Sequence, residues 1–387
     1  MSGTFDRVAI AGVGESTYYK HGMSPKSEFE LAVEAVTRAA EDSGIPLSSI
    51  DGLCSYATDS TNPMRLASAI GIDELRYSNM VWLGGGGGVA AAVANAAAAV
   101  QVGYAETVVV FRALAQGEVR FGSGRGPGPG ATGPITYLSP HGVSSPAQTI
   151  ALKTRRYMHV HGVEQGALAA IALAAYEHAQ HNPRAVMYGK PLDRETYDAS
   201  RWIAEPFHLY DCCQENAGAA AVIVTTTDRA ADLKQAPVYF LGAAQGSAPG
   251  YDLFDHSVDP YATANFTQVA QRLYALAGIA PADVDVAQVY ENFTGAVMMS
   301  IIEHGFCEPE EANEFLTVEN LLWNTGRLPL NTSGGNLAEC YMHGLELVVE
   351  TVRQLRGTST CQVADAEIGL VAGGPCTAPV SSLLLRR

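Results

Sequence analysis

The chain is organised around the stretch Leu330-Asn-Thr-Ser-Gly-Gly-Asn-Leu-Ala-Glu-Cys-Tyr-Met-His-Gly344. It begins as a polar turn with a glycine pair, whose backbone can approach a neighbouring chain or a ligand closely. Apolar residues then recur at helical spacing to about Arg356, which predicts that the glycine pair opens one helix with a buried face. Because Tyr341 and His343 follow the glycine pair on a rigid element, we take them as candidate functional residues.

Composition limits the classes of protein to which the chain can belong. With 387 residues, 47% of them hydrophobic and 17% charged, it predicts a globular protein of about two domains. The net charge of -16 argues against a nucleic-acid partner. Residues 1–7 lack a secretory signal core, and the apolar run 89–102 is too short to span a membrane. Seven cysteines without metal-ligand spacing favour a reduced, cytoplasmic protein that binds no metal.

Two parts of the chain share one pattern of elements. A strand ending in glycine, a helix capped by glycine and a further strand occur within residues 7–56 and again within residues 238–290. Three positions repeat at one constant offset: Gly44 with Gly278, Asp51 with Asp285, and Tyr56 with Tyr290. The glycine run 84–88 and the later glycine pair then each open a helix, followed by strands at 107–111 and 368–372. This spacing indicates an internal duplication.

The order of elements predicts the fold class. Alternating strands and helices predict an α/β protein with parallel sheets covered by helices. The duplication predicts two pseudo-symmetric βαβαβ halves, residues 1–235 and 236–387, in a layered αβαβα arrangement. Residues 116–210 form an insertion with a glycine- and proline-rich start and two helical patterns, at 147–160 and 165–180. We interpret this insertion as a lid over the substrate site.

The duplicated unit, the turn Asn331-x-Ser-Gly-Gly335 and the glycine-rich helix start together resemble the thiolase superfamily. The middle of the chain resembles the sterol-carrier-protein type, or lipid-transfer-protein, thiolases through three motifs: Ala147-x-x-x-Ala-x-x-x-Arg-Arg-Tyr-Met158, Asn182-Pro-Arg-Ala185 and Asp211-Cys-Cys213. The resemblance covers nearly the whole chain. It implies the thiolase fold, an acyl-CoA substrate and a homodimer.

The chain departs from thiolases at the positions that carry their chemistry. The run Gly84 to Gly88 stands where thiolases have a nucleophilic cysteine, and Val371 stands at their second cysteine. Tyr341 occupies the histidine of their His-Pro-x-Gly motif, and Tyr290 the asparagine of their Asn-Glu-Ala-Phe motif. Two tyrosines without cysteines resemble the steroid side-chain aldolases of actinobacteria. That resemblance implies a small OB-fold, zinc-ribbon partner protein and a heterotetramer.

The chemistry of aldol cleavage agrees with these departures. A β-ketoacyl thioester is cleaved by a thiolate nucleophile, whereas a β-hydroxyacyl thioester breaks once its hydroxyl proton is removed. We therefore predict a retro-aldol lyase that releases a ketone and a short acyl-CoA, and the resemblance implies a steroid side chain as the substrate and propionyl-CoA as one such product. Tyr290 and Tyr341 would share the proton transfers in either order, and His343 would relay or orient. The reaction requires no metal and no cofactor besides the substrate's own CoA.

Other readings remain open at this point. Another cysteine, such as Cys340, would serve in an acyltransferase or thiolase, and a protein without catalysis would be a lipid-binding scaffold. Glu291 and Asn292 either contact the ligand or begin a helix. A position two residues along a helix from Tyr341 would turn His343 to another face. Candidates for the CoA phosphates are the cations of the insertion: Arg120, Arg125 and Arg155.

Overall fold

The computed structural model describes residues 5–57, 59–82, 85–115, 133, 135–248, 259–374, 376 and 378–387. Gly84, Arg120, Arg125 and the glycine-rich start of the insertion lie outside the described residues. The strands are β1 Val8–Glu15, β2 Tyr19–Lys20, β3 Gly52–Tyr56, β4 Tyr77–Val81, β5 Thr107–Ala115, β6 Trp202–Ala204, β7 Phe207–His208, β8 Asn216–Thr226, β9 Val238–Gly246, β10 Val286–Val289, β11 Ile368–Gly373 and β12 Val380–Arg386. The helices are α1 Glu28–Ser43, α2 Pro63–Ile70, α3 Val89–Gln101, α4 Ile135–Leu138, α5 Pro146–His161, α6 Gln165–His181, α7 Arg194–Ala199, α8 Thr227–Ala231, α9 Thr267–Ala277, α10 Thr294–Glu303, α11 Ala312–Phe315, α12 Val318–Leu321 and α13 Leu345–Arg356.

The strand order repeats in the two halves of the chain. The main sheet has the order β10-β11-β12-β9-β1-β8-β5-β3-β4, so that β1-β8-β5-β3 is matched by β9-β12-β11-β10. In each set the first two pairings are antiparallel and the third is parallel. The duplication is therefore confirmed, but the expectation of wholly parallel sheets is wrong. A short loop joins β11 to β12, and only antiparallel neighbours can be connected by so short a segment.

The helices form layers with the two halves of the sheet. Both α3 and α13 contact strands of both halves and so lie between them. Helix α1 covers the outer face of the first half, and α9 covers that of the second. The halves join where β1 pairs with β9 over two residue pairs. This is the expected αβαβα arrangement.

Glycines shape the ends of the helices and the packing of α1. Gly44 and Gly278 end α1 and α9 in left-handed conformations with φ of 80° and 71°, as expected. Gly12 and Gly14 lie within β1, which continues to Glu15 rather than ending in glycine. A Cβ at either position would overlap the backbone of α1 at Ala39 or Ala35. The two glycines therefore allow α1 to pack closely on the strand.

The described part of the insertion contains both expected helices, α5 and α6. They pack against α10, and α6 also contacts the turn Gly335–Glu339. The lid role and the boundary between residues 235 and 236 stay predictions. Within the described ranges, no helix has the length and apolarity required to cross a membrane.

Candidate active site

Two tyrosine hydroxyl groups meet at the centre of the molecule. Tyr290 directly follows β10, and its amide donates to the carbonyl of Ala372 in β11 at 2.8 Å. The amide of Tyr341 donates to Oδ1 of Asn216 in β8 at 2.7 Å. The two hydroxyl oxygens are 2.6 Å apart, and each residue is only 3% exposed. The structure therefore brings together the two tyrosines that the sequence singled out.

The segment that carries Tyr341 is not the continuous helix that the sequence predicts. Gly335–Glu339 forms a π-helical turn, Cys340 is extended with φ of -168°, and α13 begins only at Leu345. Gly344 and His343 adopt positive φ values of 92° and 52°. The hydroxyl of Tyr56, the repeat partner of Tyr290, donates to the carbonyl of His343 at 3.0 Å. Contacts with other elements thus keep the segment between Glu339 and Leu345 out of a helical conformation.

His343 consequently lies beside Tyr341, and the expectation that it faces elsewhere is wrong. The two rings make an edge-to-face contact with centroids 5.0 Å apart. Nε of Arg112 donates to Nδ1 of His343 at 3.1 Å, and Nη1 of Arg112 donates to Oδ2 of Asp59 at 2.7 Å. Arg112 and Asp59 are both buried. We did not identify either residue from the sequence, although an arginine within the apolar strand β5 was a usable signal, because a buried guanidinium requires partners.

This contact fixes the tautomer of His343. The Nε of an arginine always carries a hydrogen, so Nδ1 of His343 must be the acceptor. The imidazole is then neutral and carries its proton on Nε2. Burial and the positive charge of Arg112 both lower the pKa of His343 well below its usual value. His343 is therefore a hydrogen-bond donor at neutral pH rather than an acid.

Burial also decides the protonation of the tyrosine pair. It raises the pKa of Tyr290 and of Tyr341 well above the usual value for a phenol. A free phenolate is thus disfavoured in the resting site. The 2.6 Å hydrogen bond instead allows one hydroxyl to release its proton as the other accepts one.

The glycine run makes room for the ring of Tyr290. Gly85–Gly88 forms a 3-10 turn before α3. A Cβ on Gly86 would overlap the Tyr290 ring, and one on Gly88 would lie 2.9 Å from Cβ of Tyr56. The place that holds a nucleophilic cysteine in thiolases therefore has no room here for a side chain at Gly86.

None of the seven cysteines, all of which lie within the described residues, carries an activated thiol. All seven are free, and burial raises the pKa of each thiol: Cys54, Cys212, Cys213, Cys307, Cys340, Cys361 and Cys376. Cys340 precedes Tyr341 but is fully buried. Because the thiolate is the nucleophilic form, these environments oppose the alternative thiolase or acyltransferase reading.

Buried carboxyl groups support the turn before Tyr341. Oε1 of Glu291 accepts from the amide of Leu337 at 3.1 Å, which gives Glu291 a structural role. Asn336 accepts from the amide of Glu291 at 3.0 Å, and its side-chain amide donates to Glu346. The side chain of Asn292 binds the adjacent backbone, because its Oδ1 accepts from the amide of Phe293 at 3.1 Å. These contacts position the segment that carries Tyr341.

Glu346 predicts a specific pH dependence of stability. Burial raises its pKa from 4.5 to about 8, so the folded protein keeps a proton that the unfolded chain loses. This contribution to stability is complete at low pH and is lost as the pH rises from about 4.5 to about 8. We expect Glu346→Gln to remove a slope of up to about 1.4 kcal/mol per pH unit in this window. Urea unfolding from pH 5 to 8 measures it, with exposed Glu195→Gln as the control. Equal slopes in wild type and Glu346→Gln would contradict the assignment.

Of the three arginines considered for binding the CoA phosphates, only Arg155 lies within the described residues. Arg155 lies exposed on α5, 3.7 Å from Glu205, and no described contact connects it to the tyrosine pair. Among the residues that the structure describes, no group of His, Cys, Asp and Glu side chains is arranged to hold a metal ion.

Comparisons with known proteins identify the family to which the chain belongs. Residues 252–386 match the family model described as thiolase C-terminal domain-like. With its duplicated layered fold, the chain is a member of the thiolase superfamily. It is 40% identical to the steroid side-chain-cleaving aldolase of Thermomonospora curvata over 97% of both chains. It is 39% identical to the 17-hydroxy-3-oxo-4-pregnene-20-carboxyl-CoA lyase of Mycobacterium tuberculosis, over 98% of this chain and 99% of the relative. The chain belongs to this family of steroid side-chain-cleaving aldolases.

A solved structure supports the same assignment. The Ltp2-ChsH2(DUF35) aldolase superposes with a TM-score of 0.91 and is 38% identical in sequence. The match covers 98% of this chain and 97% of that chain. The arrangement of elements is therefore that of an aldolase, not only that of thiolases in general.

Proposed function

We propose that the protein is a carbon–carbon lyase that cleaves a β-hydroxyacyl-CoA thioester of a steroid side chain by a retro-aldol reaction. The products are a steroid ketone and a short acyl-CoA, such as propionyl-CoA. The observation that carries the proposal is the 2.6 Å contact between the hydroxyls of Tyr290 and Tyr341, in a site without an activated thiol among its described residues. The relative that acts on 17-hydroxy-3-oxo-4-pregnene-20-carboxyl-CoA makes a side chain of this class the first substrate to test.

The reaction conserves electrons and requires only proton transfers. A base removes the proton of the β-hydroxyl, and the C–O bond becomes a carbonyl as the bond between Cα and Cβ breaks. The electron pair of that bond passes to Cα and is held as the thioester enolate. A proton then adds to Cα and yields the shortened acyl-CoA. Donors near the thioester oxygen lower the energy of the enolate.

We assign the proton transfers to the tyrosine pair. One phenol accepts the hydroxyl proton while the other donates to Cα, and the hydrogen bond between them passes the proton across. This relay avoids a free phenolate, which burial disfavours. Either direction of transfer is compatible with the symmetric contact.

We assign His343 the role of a neutral donor and Arg112 that of a positioning residue. With Nδ1 accepting from Arg112, Nε2 carries the proton, and we assign this proton to the thioester oxygen of the enolate. Asp59 in turn holds the guanidinium of Arg112 at 2.7 Å. A neutral imidazole of this kind stabilises an enolate without itself changing charge.

The direct test supplies a β-hydroxyacyl-CoA steroid to the purified protein, with and without an OB-fold partner. We expect equal amounts of ketone and short acyl-CoA, independent of free CoA. Cleavage of a β-ketoacyl-CoA that requires free CoA would instead identify a thiolase.

We also propose that two copies of the chain pair and that an OB-fold, zinc-ribbon protein completes a heterotetramer. Strand β4 forms one edge of the main sheet, and Met80 in β4 and the adjacent Trp82 are 43% and 75% exposed. An exposed apolar strand edge is suited to pairing with a second copy. The similar Ltp2-ChsH2(DUF35) aldolase, whose name includes a DUF35 component, supports the second partner.

Met80→Lys tests the pairing edge. A charge on this edge strand opposes strand pairing, so we expect the mass in solution to fall from that of a dimer towards the single chain of 40.8 kDa. Light scattering at several concentrations measures the mass. Tyr104→Lys is the control, because Tyr104 is 68% exposed but lies outside this edge. A dimer that persists in Met80→Lys at low concentration argues against pairing through β4.

A further inference from the structure

A cavity of about 500 Å³ lies outside the tyrosine site. Its walls are residues 13–18 at the end of β1 and residues 183–186 after α6, with Arg38 and Arg353 at its sides. Neither Tyr290 nor Tyr341 lines it. The cavity is therefore separate from the groups that carry the proposed chemistry.

The lining of this cavity is cationic, in a chain whose net charge is -16. Four cations and one carboxylate line it: Lys20, Arg38, Arg184, Arg353 and Glu15. Glu15 is paired with Arg353, and its Oε1 accepts from the hydroxyl of Tyr18 at 2.5 Å. Glu34, which does not line the cavity, pairs with Arg38 at 2.5 Å. An excess of positive charge remains after both carboxylates are counted.

The remaining cations form no short ion pair within the part of the chain that the structure describes. The side chain of Arg184 is 35% exposed, and its nearest carboxylates, Glu15 and Glu339, are 3.5 and 4.0 Å away. A charge-assisted hydrogen bond is shorter, at about 2.7–2.9 Å. Lys20 is exposed beside Lys190, and the neighbouring ammonium lowers the pKa of Lys190. Neither lysine forms an ion pair with a carboxylate of the described residues. Like charges held together in this way favour an anion between them.

We propose that this cavity binds a phosphate group, held by Arg184 and Lys20 of its lining together with Lys190, which lies beside Lys20 outside the lining. A guanidinium that offers a planar edge and ammonium groups that act as point charges are the side chains that recognise phosphate. A phosphate group carries close to two negative charges and so matches the excess of cations better than a single carboxylate does.

The site is connected to the segment that carries Tyr341. The amides of Val186 and Met187 donate to the carbonyls of Glu339 and Ala338 at 2.9 and 3.1 Å. Bound phosphate would therefore rest against a wall bonded to the turn that precedes Tyr341. The phosphate is either free or part of a nucleotide such as that of CoA, and these two sources share the same recognition chemistry.

Isothermal titration calorimetry at constant ionic strength tests the proposal without measuring turnover, so its result is independent of the aldolase assignment. The probes are inorganic phosphate, pyrophosphate and adenosine 3′,5′-bisphosphate, added to the full chain. The variants are Arg184→Gln and the double variant Lys20→Gln/Lys190→Gln. Lys26→Gln is the matched control, because Lys26 loses the same charge nearby but pairs with Glu34 outside the cavity.

We expect saturable binding to wild type and to Lys26→Gln, and a dissociation constant raised at least about tenfold in the other two proteins. Tighter binding of the nucleotide than of pyrophosphate identifies a nucleotide phosphate, and the reverse order identifies free phosphate. The absence of saturable binding for all three probes overturns the proposal. Equal affinity in wild type and the double lysine variant also overturns the proposal. Because Lys20 and Lys190 are exposed, the double lysine variant remains informative even where Arg184→Gln fails to fold.

Discussion

Replacing Tyr341 or Tyr290 by phenylalanine should lower kcat for aldol cleavage by about 10²- to 10⁴-fold, the usual contribution of a positioned acid or base. Each substitution keeps the ring and removes one hydroxyl of the 2.6 Å pair. The relay then has no second group to accept or return the proton. KM should change much less, because the shape of the site is retained. Steady-state kinetics with a β-hydroxyacyl-CoA steroid measures both constants.

Tyr274→Phe is the matched control for these substitutions. The Tyr274 hydroxyl lies on α9 without a hydrogen-bond partner among the described residues, so its loss should leave kcat unchanged. Thermal unfolding of all variants separates lost chemistry from lost folding. Nearly full cleavage by both Tyr290→Phe and Tyr341→Phe would remove the tyrosine pair from the mechanism.

Arg112→Met should have two separable effects, one on stability and one on the histidine. It leaves the carboxylate of Asp59 buried and unpaired, which costs about 3–5 kcal/mol of unfolding free energy. It also removes the donor that sets the tautomer of His343, together with the positive charge that helps to lower the pKa of His343, whereas burial, the larger cause, remains. We expect a large loss of kcat and an upward shift of the His343 ionisation in the pH–rate profile.

The double variant Arg112→Met/Asp59→Asn distinguishes positioning from mere support of the fold. A neutral amide at position 59 removes the buried charge, so urea unfolding should recover much of the lost stability. The kcat should stay low, because His343 still lacks its donor. Nitrogen chemical shifts of the His343 ring report the tautomer directly, with His343→Gln providing the assignment. If the His343 ring keeps Nδ1 unprotonated in this double variant, Arg112 does not set its tautomer.

The parts of the structure that depend on local rules could be read from the sequence. The caps at Gly44 and Gly278 require only that glycine adopts positive φ, and the helices of the insertion follow from periodicity. The tyrosine pair was also accessible, because the resemblance to thiolases places Tyr290 and Tyr341 at two of their motif positions, Tyr341 by its distance from the glycine pair. Both tyrosine positions can be identified without knowledge of any tertiary contact.

The features that the sequence did not reveal depend on residues far apart in the chain. The break before α13 arises because Asn216 and Glu291 bind amides of the turn and of Tyr341 that a continuous helix would occupy. Arg112 and Asp59 meet His343 from segments more than two hundred residues away. The direction of β8 and β12 likewise depends on their connections rather than on their composition.

The close fit of the Tyr290 ring over Gly86 has a consequence for how such an enzyme can arise from a thiol-dependent ancestor. Any side chain at position 86 and the phenol ring at 290 exclude each other sterically. A lineage with a larger residue at position 86 therefore had to acquire the glycine before a tyrosine could occupy position 290. The geometry thus sets the order of these two changes.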